Sequence, residues 1–235
     1  YESCLKKGLD IYFLYGEILT CFDTLLNEFS NIDKIYYNII ECGYGKSQEQ
    51  KLNRFLKRKN VEVFSFYDHH LHTANEVLKE DNSHYKVFTH YYNKWMGSKK
   101  PEEQNIDYAK LSEIILCDFS KKDPIGKEKF IELRNLLNND FSMFTGEEKA
   151  RECLADFMND KLCSYNENRD YPFLDGTSHL SHYLTTGQLS VREVFNAATM
   201  MPFSLGQEIF IKELAWRDFY NMIYYFHPNQ YSLYI

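Results

Sequence analysis

Between Leu9 and Phe66, strand-like and helix-like runs alternate, and that alternation restricts the fold more than any other feature of the chain. Leu9 to Tyr15 is apolar and aromatic and reads as a buried strand. Glu17 to Phe29 places Ile18, Phe22, Leu25, Leu26 and Phe29 on one helical face. Lys34 to Ile40 reads as a second strand. Ser47 to Arg58 reads as a charged amphipathic helix with Leu52, Phe55 and Leu56 inward, and Val61 to Phe66 as a third strand. Strands separated by helices of this length imply βαβ units and a parallel sheet, because parallel neighbours need a crossover. The first eight residues read as the tail of a helix whose preceding strand is absent, so the sheet is expected to be partial and the chain a fragment.

Farther along, the pattern becomes helical. His84 to Met96 is an aromatic helix, and Gly97 to Asp107, with Lys99-Lys100-Pro101-Glu102-Glu103, reads as a linker. The stretch to about Thr145 is weakly patterned, with a turn at Asp123-Pro124. Glu147 to Cys163 reads as a helix. Ser190 caps a helix through Met200, with Glu193 completing a capping box. Gly206 to Phe226 is a long helix stopped before Pro228. The expected architecture is α/β: a partial parallel-sheet, Rossmann-like domain over 1–105, a linker over 106–145, and the start of an all-α domain over 146–235.

Hydrophobic residues make up 44% and charged residues 26%, as in soluble globular proteins. No run of about eighteen apolar residues suggests a membrane span, and no signal peptide is visible. The six cysteines form no CxxC pair and no zinc-finger spacing, so they read as reduced thiols of a cytosolic protein. A net charge of −7 argues against a broad nucleic-acid surface but leaves room for a local basic face.

Two stretches carry candidate chemistry. In Arg169-Asp170-Tyr171-Pro172-Phe173-Leu174-Asp175-Gly176-Thr177-Ser178-His179-Leu180-Ser181, a turn precedes hydroxyl residues able to open a helix. Free N–H groups and the positive end of the helix dipole could hold a phosphate there, with added donors from Thr177, Ser178 and Ser181. The same run also reads as an ordinary capped helix. On the last helix, Phe210, Glu213, Trp216, Arg217 and Tyr220 share one face, while Ile211, Leu214, Ala215 and Met222 suit a core. That face reads either as a helix surface with an Arg–Glu pair or as a platform for a planar ligand: Trp to stack, Arg to grip phosphate, Glu to bond a base edge.

Tyr165 with Arg169-Asp170-Tyr171-Pro172, Asp175 through Leu184, Gly187, Ser190 and Arg192, and Phe210 through Tyr220 together resemble the DNA photolyase/cryptochrome family, most of all its bacterial class I cyclobutane pyrimidine dimer photolyases. Tyr85-Lys86-Val87-Phe88-Thr89 is similar to the family's segment at the end of its α/β domain. The resemblance implies FAD held by Tyr165, Thr177, Ser178, His179, Leu180, Ser181, Phe210 and Glu213. It implies DNA contact by Arg169, Glu213, Trp216, Arg217 and Tyr220, with Trp216 packed on a flipped-out dimer and Glu213 steadying the dimer radical anion, so that Glu213 and Trp216 carry catalysis. In the family, excited reduced flavin lends an electron that splits the dimer. A monomeric, cytoplasmic protein with no protein partner and no membrane association is the corresponding expectation.

The sequence departs from the family pattern in places. His179 stands where members often have Arg or Lys, and His182 where Pro is common. Glu80-Asp81-Asn82-Ser83-His84 lacks the acidic residue that often precedes Tyr85 in folate-antenna members, leaving the antenna, folate (methenyltetrahydrofolate) or another, open. By the resemblance, the rest of the FAD cavity and the family's tryptophan chain would lie past Ile235, so this chain alone is expected to bind FAD poorly and not to repair DNA. Two alternatives stay open: a cryptochrome-like photosensor, and a generic nucleotide-binding α/β protein.

Other stretches invite less. His69-His70-Leu71-His72 lacks a Cys or carboxylate at ligand spacing for a metal. Lys57-Arg58-Lys59 is a solvated helix end, and Gly43, Gly45 and Lys46 make no P-loop. Trp95, among Tyr91 and Tyr92, reads as core.

Overall fold

A computed structural model describes all residues except 10, 42, 105, 108–109, 112–124, 138–143 and 229–235. Cys42 and Cys117, the Asp123-Pro124 turn and much of the 106–145 linker lie outside the described residues.

In chain order the elements are α1 (Glu2–Lys6), α2 (Ile18–Glu28), β1 (Lys34–Asn38), α3 (Gly43–Arg58), β2 (Glu62–Phe66), α4 (Phe88–Gly97) and α5 (Ile125–Asn135). Then follow α6 (Glu147–Asp156), a π-helical turn (Phe157–Lys161), a 3₁₀ turn (Leu162–Ser164), α7 (Tyr165–Asn168), α8 (Ser181–Thr186), α9 (Val191–Met200) and α10 (Leu205–Phe226). β1 and β2 form a two-stranded parallel sheet. Glu62 N donates to Asp33 O and Ile39 N to Phe66 O, both at 2.8 Å, and α3 is the crossover between the strands. This is the expected βαβ unit.

The strand expected at Leu9 to Tyr15 does not form: residues 9 and 11–15 are irregular. Ring packing satisfies their side chains instead. Phe13 stacks on Phe130 at 4.5 Å and meets Tyr1 edge-on, and the Tyr12 hydroxyl donates to Glu28. α2 starts where expected, with the Glu17 carboxylate as cap; it accepts from Leu19 N at 2.9 Å and Thr20 N at 3.1 Å.

The chain divides into two compact units. Residues 1–35, 50–64 and 104–144 make the first, and 36–49, 65–103 and 145–235 the second. The first is built on Leu52, Leu56 and Val61, with Ile18, Phe22, Leu26 and Ile35 packed against them. The second has the larger core, in which Tyr91 and Trp95 of α4, Leu154 and Phe157, Val194 and Ala198 of α9, and Ile211, Leu214, Ala215 and Met222 of α10 are buried. Trp95 is core, as its neighbours suggested.

Two local expectations are corrected in the second unit. The helix expected from Glu147 to Cys163 continues through the π-helical and 3₁₀ turns to Asn168. The capping box at Ser190 forms only in half: Ser190 Oγ accepts from Arg192 N at 3.2 Å, but Glu193 turns away to Arg151, at 2.9 Å. α10 begins against the backbone of the 3₁₀ turn, with Ser204 Oγ capping Gln207 N at 3.0 Å. A Cβ on Gly206 would lie 2.0 Å from the Leu162 carbonyl oxygen, so only glycine allows that approach.

Candidate functional site

The helix from Glu147 to Asn168 and α10 bring the predicted residues together. Phe157, Tyr165 and Phe210 form an aromatic trio: Phe157 lies 4.7 Å from Phe210, and Tyr165 meets both rings edge-on at 5.6 and 5.5 Å. Phe210 is buried, so it serves the core as well as the face to which the sequence assigned it. Burial, followed by the charge of Glu213, pushes the Tyr165 hydroxyl above its ordinary range and keeps it protonated as a donor.

Arg169 lies over the Tyr165 ring, 5.6 Å from its centre, and ion-pairs with Glu213. The bond from Glu213 is the chief reason the Arg169 guanidinium is held even more firmly charged. The resemblance implied DNA contact by each of them, and the structure pairs them with each other. Both are about one-third exposed, with side-chain exposures of 31% and 38%, so a ligand can reach the pair but must compete with it.

The 175–181 run departs from its expected form. Thr177 and Ser178 do not open a helix. α8 starts at Ser181, its N-cap is Leu180, and no side chain caps it. The reason is local: His179 adopts a left-handed conformation (φ 52°), and Ser178 Oγ accepts from Leu180 N at 3.4 Å, which makes a loop rather than a first helical turn. Lys161 and His179 clamp the loop through Asp175, at 2.6 and 2.7 Å. Those two partners, Lys161 first, hold the Asp175 carboxyl below the usual carboxylate range. A Cβ on Gly176 would meet Asn168 Cβ at 2.6 Å, which seats the loop on α7. Thr177, His179 and Ser181 are exposed, Ser178 is half-buried, and the Leu180 side chain is in the core.

Trp216, Arg217 and Tyr220 sit one to two turns farther along α10. The Trp216 indole stacks on Phe88 (3.6 Å, 7°) and against Tyr220 (5.4 Å, 23°), which is itself exposed. Arg217 does not join Arg169. Its guanidinium donates to the His69 carbonyl, and burial lowers its pKa.

Sequence reasoning missed Asp218. It is 1% exposed, and its Oδ2 accepts from His72 N at 2.9 Å and from Trp95 Nε1 at 2.8 Å. Oδ1 has no hydrogen-bond partner among the described residues. Burial raises its pKa, against the lowering effects of His70, Trp95 and His72. The signal was present, because Asp218 continues the apolar series Ile211, Leu214, Ala215 and Met222 on one helical face. His70 lies 3.5 Å from Glu41, and among the described residues no group of three His, Cys, Asp or Glu side chains is arranged to hold a metal ion.

This combination defines a class: an α/β segment leading into a helical region that carries an aromatic and ion-paired wall and a clamped, hydroxyl-bearing loop. The family model described as DNA photolyase matches residues 2–107. The chain is 34% identical over 234 residues to the deoxyribodipyrimidine photo-lyase of Alkalihalophilus pseudofirmus, covering 97% of this chain and 48% of that protein. It is 25% identical to the deoxyribodipyrimidine photo-lyase of Halobacterium salinarum, with the same coverages of 97% and 48%. Its fold is similar to a bacterial class III photolyase from Agrobacterium tumefaciens (TM-score 0.67, 22% identity, 91% of this chain and 45% of the other). It is also similar to an archaeal photolyase from Sulfolobus tokodaii with two FAD molecules (TM-score 0.63, 21% identity, 97% and 46%). The chain belongs to the DNA photolyase family. It spans about half the length of the curated relatives it matches.

Proposed function

We propose that the chain serves light-dependent DNA repair, as part of a deoxyribodipyrimidine photo-lyase that splits cyclobutane pyrimidine dimers with FAD. The observation that carries this reading is the Arg169–Glu213 pair set over the Tyr165 ring, one helical turn from the Trp216 indole. The donor set fits a flavin dinucleotide. Thr177, Ser178 and Ser181 offer hydroxyls to a diphosphate, His179 offers an imidazole, and Tyr165 and Phe210 offer aromatic surface to a ring system. Leu180, with its side chain in the core, would contribute through its backbone.

When bound, reduced and excited FAD supplies the electron that opens the dimer. The protein's own residues bind and orient. Glu213 presents a carboxylate to a dimer's base edge once Arg169 releases it, and Arg169 is then available to a DNA phosphate. Trp216 and Tyr220 offer stacking surface to extruded bases, which are cheap to flip when already damaged. Arg217, through His69, supports the helix beneath them.

The same reading carries a monomer acting on DNA in the cytoplasm, with an antenna chromophore, folate or another, as a further component. Four described cysteines, Cys4, Cys21, Cys153 and Cys163, are free thiols, which suits a reducing compartment. Among the described residues no helix is long and apolar enough to cross a membrane.

The test is expression of a protein that includes this chain, followed by a flavin spectrum and a blue-light assay on thymine-dimer DNA. Bound flavin and light-dependent loss of dimers are expected. Flavin without repair would overturn the repair reading in favour of a photosensor, and a colourless protein that binds adenine nucleotides would overturn both.

A further inference from the structure

A cavity of about 620 Å³ lies beside α4, lined by Lys79, Tyr85, Lys86, Val87, His90 and Lys94 among others. Its residues are separate from the Arg169–Glu213 wall and from the 175–181 loop. Its volume falls in the range of small-molecule sites.

The charge in it is uncompensated. Several lysines elsewhere in the described chain find carboxylates: Lys59 with Asp23, Lys161 with Asp175 and Lys212 with Glu208, each at 2.6 Å. Among the described residues, Lys79, Lys86 and Lys94 have no such partner; Lys79 only lies 5.9 Å from the Tyr85 ring centre. The neighbouring acid Asp81 is occupied within its own turn, accepting from Ser83 N at 2.9 Å and Ser83 Oγ at 2.6 Å. The positive field is felt nearby. Burial first, then His227, Lys86 and Lys79, depress the pKa of His84, whose ring stacks on Phe226. The first turn of α4 starts here too, with an N-cap, Val87, that brings no side-chain acceptor to its N–H groups.

In a chain of net charge −7, three ammonium groups without a carboxylate partner among the described residues gather around one cavity, so an anion entering it is attracted by each of them. Ammonium groups are compact point charges suited to phosphate oxygens, and the Tyr85 ring with Val87 gives the cavity an apolar wall. We propose that this cavity binds a phosphate-bearing small molecule of diphosphate size, at a site independent of the flavin and DNA surfaces.

Isothermal titration of a protein that includes this chain with pyrophosphate at low ionic strength tests it. One saturable site per chain is expected. Lys86→Ala with Lys94→Ala should weaken it at least tenfold, and Lys86→Glu more than Lys86→Ala. These side chains are exposed and unpaired, so the fold is untouched by their loss. Ser178→Ala with Ser181→Ala should leave pyrophosphate affinity unchanged, which separates this cavity from the loop proposed to hold the flavin diphosphate. ADP assigns the source of the phosphate: equal affinity means that the anion alone is recognised, and tighter binding means that the apolar wall takes the base. No saturable binding of pyrophosphate or ADP, or unchanged affinity in the double variant, would each overturn the proposal.

Discussion

The indole N–H of Trp95 donates to Asp218 Oδ2 at 2.8 Å across 123 residues of sequence, and the same oxygen takes the backbone N–H of His72. One buried carboxylate thus ties α4 and the loop before it to the middle of α10, two residues after Trp216. Asp218→Ala leaves both donors buried and unpaired. It is expected to cost about 2–4 kcal/mol, at about 1–3 kcal/mol per orphaned group with partial relaxation, read from urea unfolding.

Asp218→Asn is expected to behave differently. The folded pKa of Asp218 is raised, so its contribution to stability is present below the usual carboxylate range and is lost as pH rises through the folded value. The amide keeps an acceptor without that loss. Thermal melts across pH should therefore show the difference between Asp218→Asn and the parent moving in favour of the variant as pH rises. A constant difference would contradict the raised pKa.

Glu213→Ala separates stability from function. The Arg169–Glu213 pair is about one-third exposed, so its loss is expected to cost less than about 1 kcal/mol. Dimer repair by a protein containing the chain should nonetheless fall by an order of magnitude or more, while Glu213→Gln retains part of it. Chemical denaturation and the repair assay, run on the same samples, check both halves.

Gly206→Ala places a methyl against the Leu162 carbonyl, a contact of backbone with backbone that neither side can relieve by a rotamer change. A loss of about 3 kcal/mol is expected, at the upper end of overpacking costs. A melt unchanged from the parent would mean that α10 does not start against the 3₁₀ turn.

Lys100 gives a pH signature of its own. Its ammonium donates to the carbonyls of Trp95 and Ser98 and lies 3.8 Å from the Trp95 ring centre, and burial lowers its pKa to about 8. Because the folded pKa is depressed, its contribution to stability is present above the usual lysine value of 10.5 and is lost as pH falls through about 8. Lys100→Met should flatten the stability profile between those two values. Amine-acylation rates at pH 8 should mark Lys100 as unusually reactive among the lysines.

The βαβ unit, the start of α9, the stop of α10 and the core face of α10 were legible because each is a local or periodic signal: Ser190 as cap, Pro228 as stop, Ile211 through Met222 as stripe. Leu9 to Tyr15 misled because an apolar run does not say whether it will meet a strand edge or other rings; here Phe13 met Tyr1 and Phe130. The 175–181 run misled because the left-handed His179 delays the helix to Ser181, a backbone state that histidine does not advertise. Glu193 was read as half of a capping box, but Arg151, 42 residues away, competed for it. The Arg169–Glu213 pair was illegible for the same reason: both residues were singled out, but no short-range rule pairs side chains 44 positions apart.

The π-helical turn at Phe157–Lys161 separates two registers of one helix. A wide turn holds one residue more than an α-helical turn of the same rise. Removing one residue from it would let the helix close to regular winding while Tyr165 and Arg169 keep their heading toward α10. Removing one residue after it, between Tyr165 and Arg169, would instead turn the guanidinium by about 100° about the axis, away from Glu213. One surplus residue, with no chemistry of its own, thus acts as slack that lets the core stripe before it and the wall after it keep separate registers.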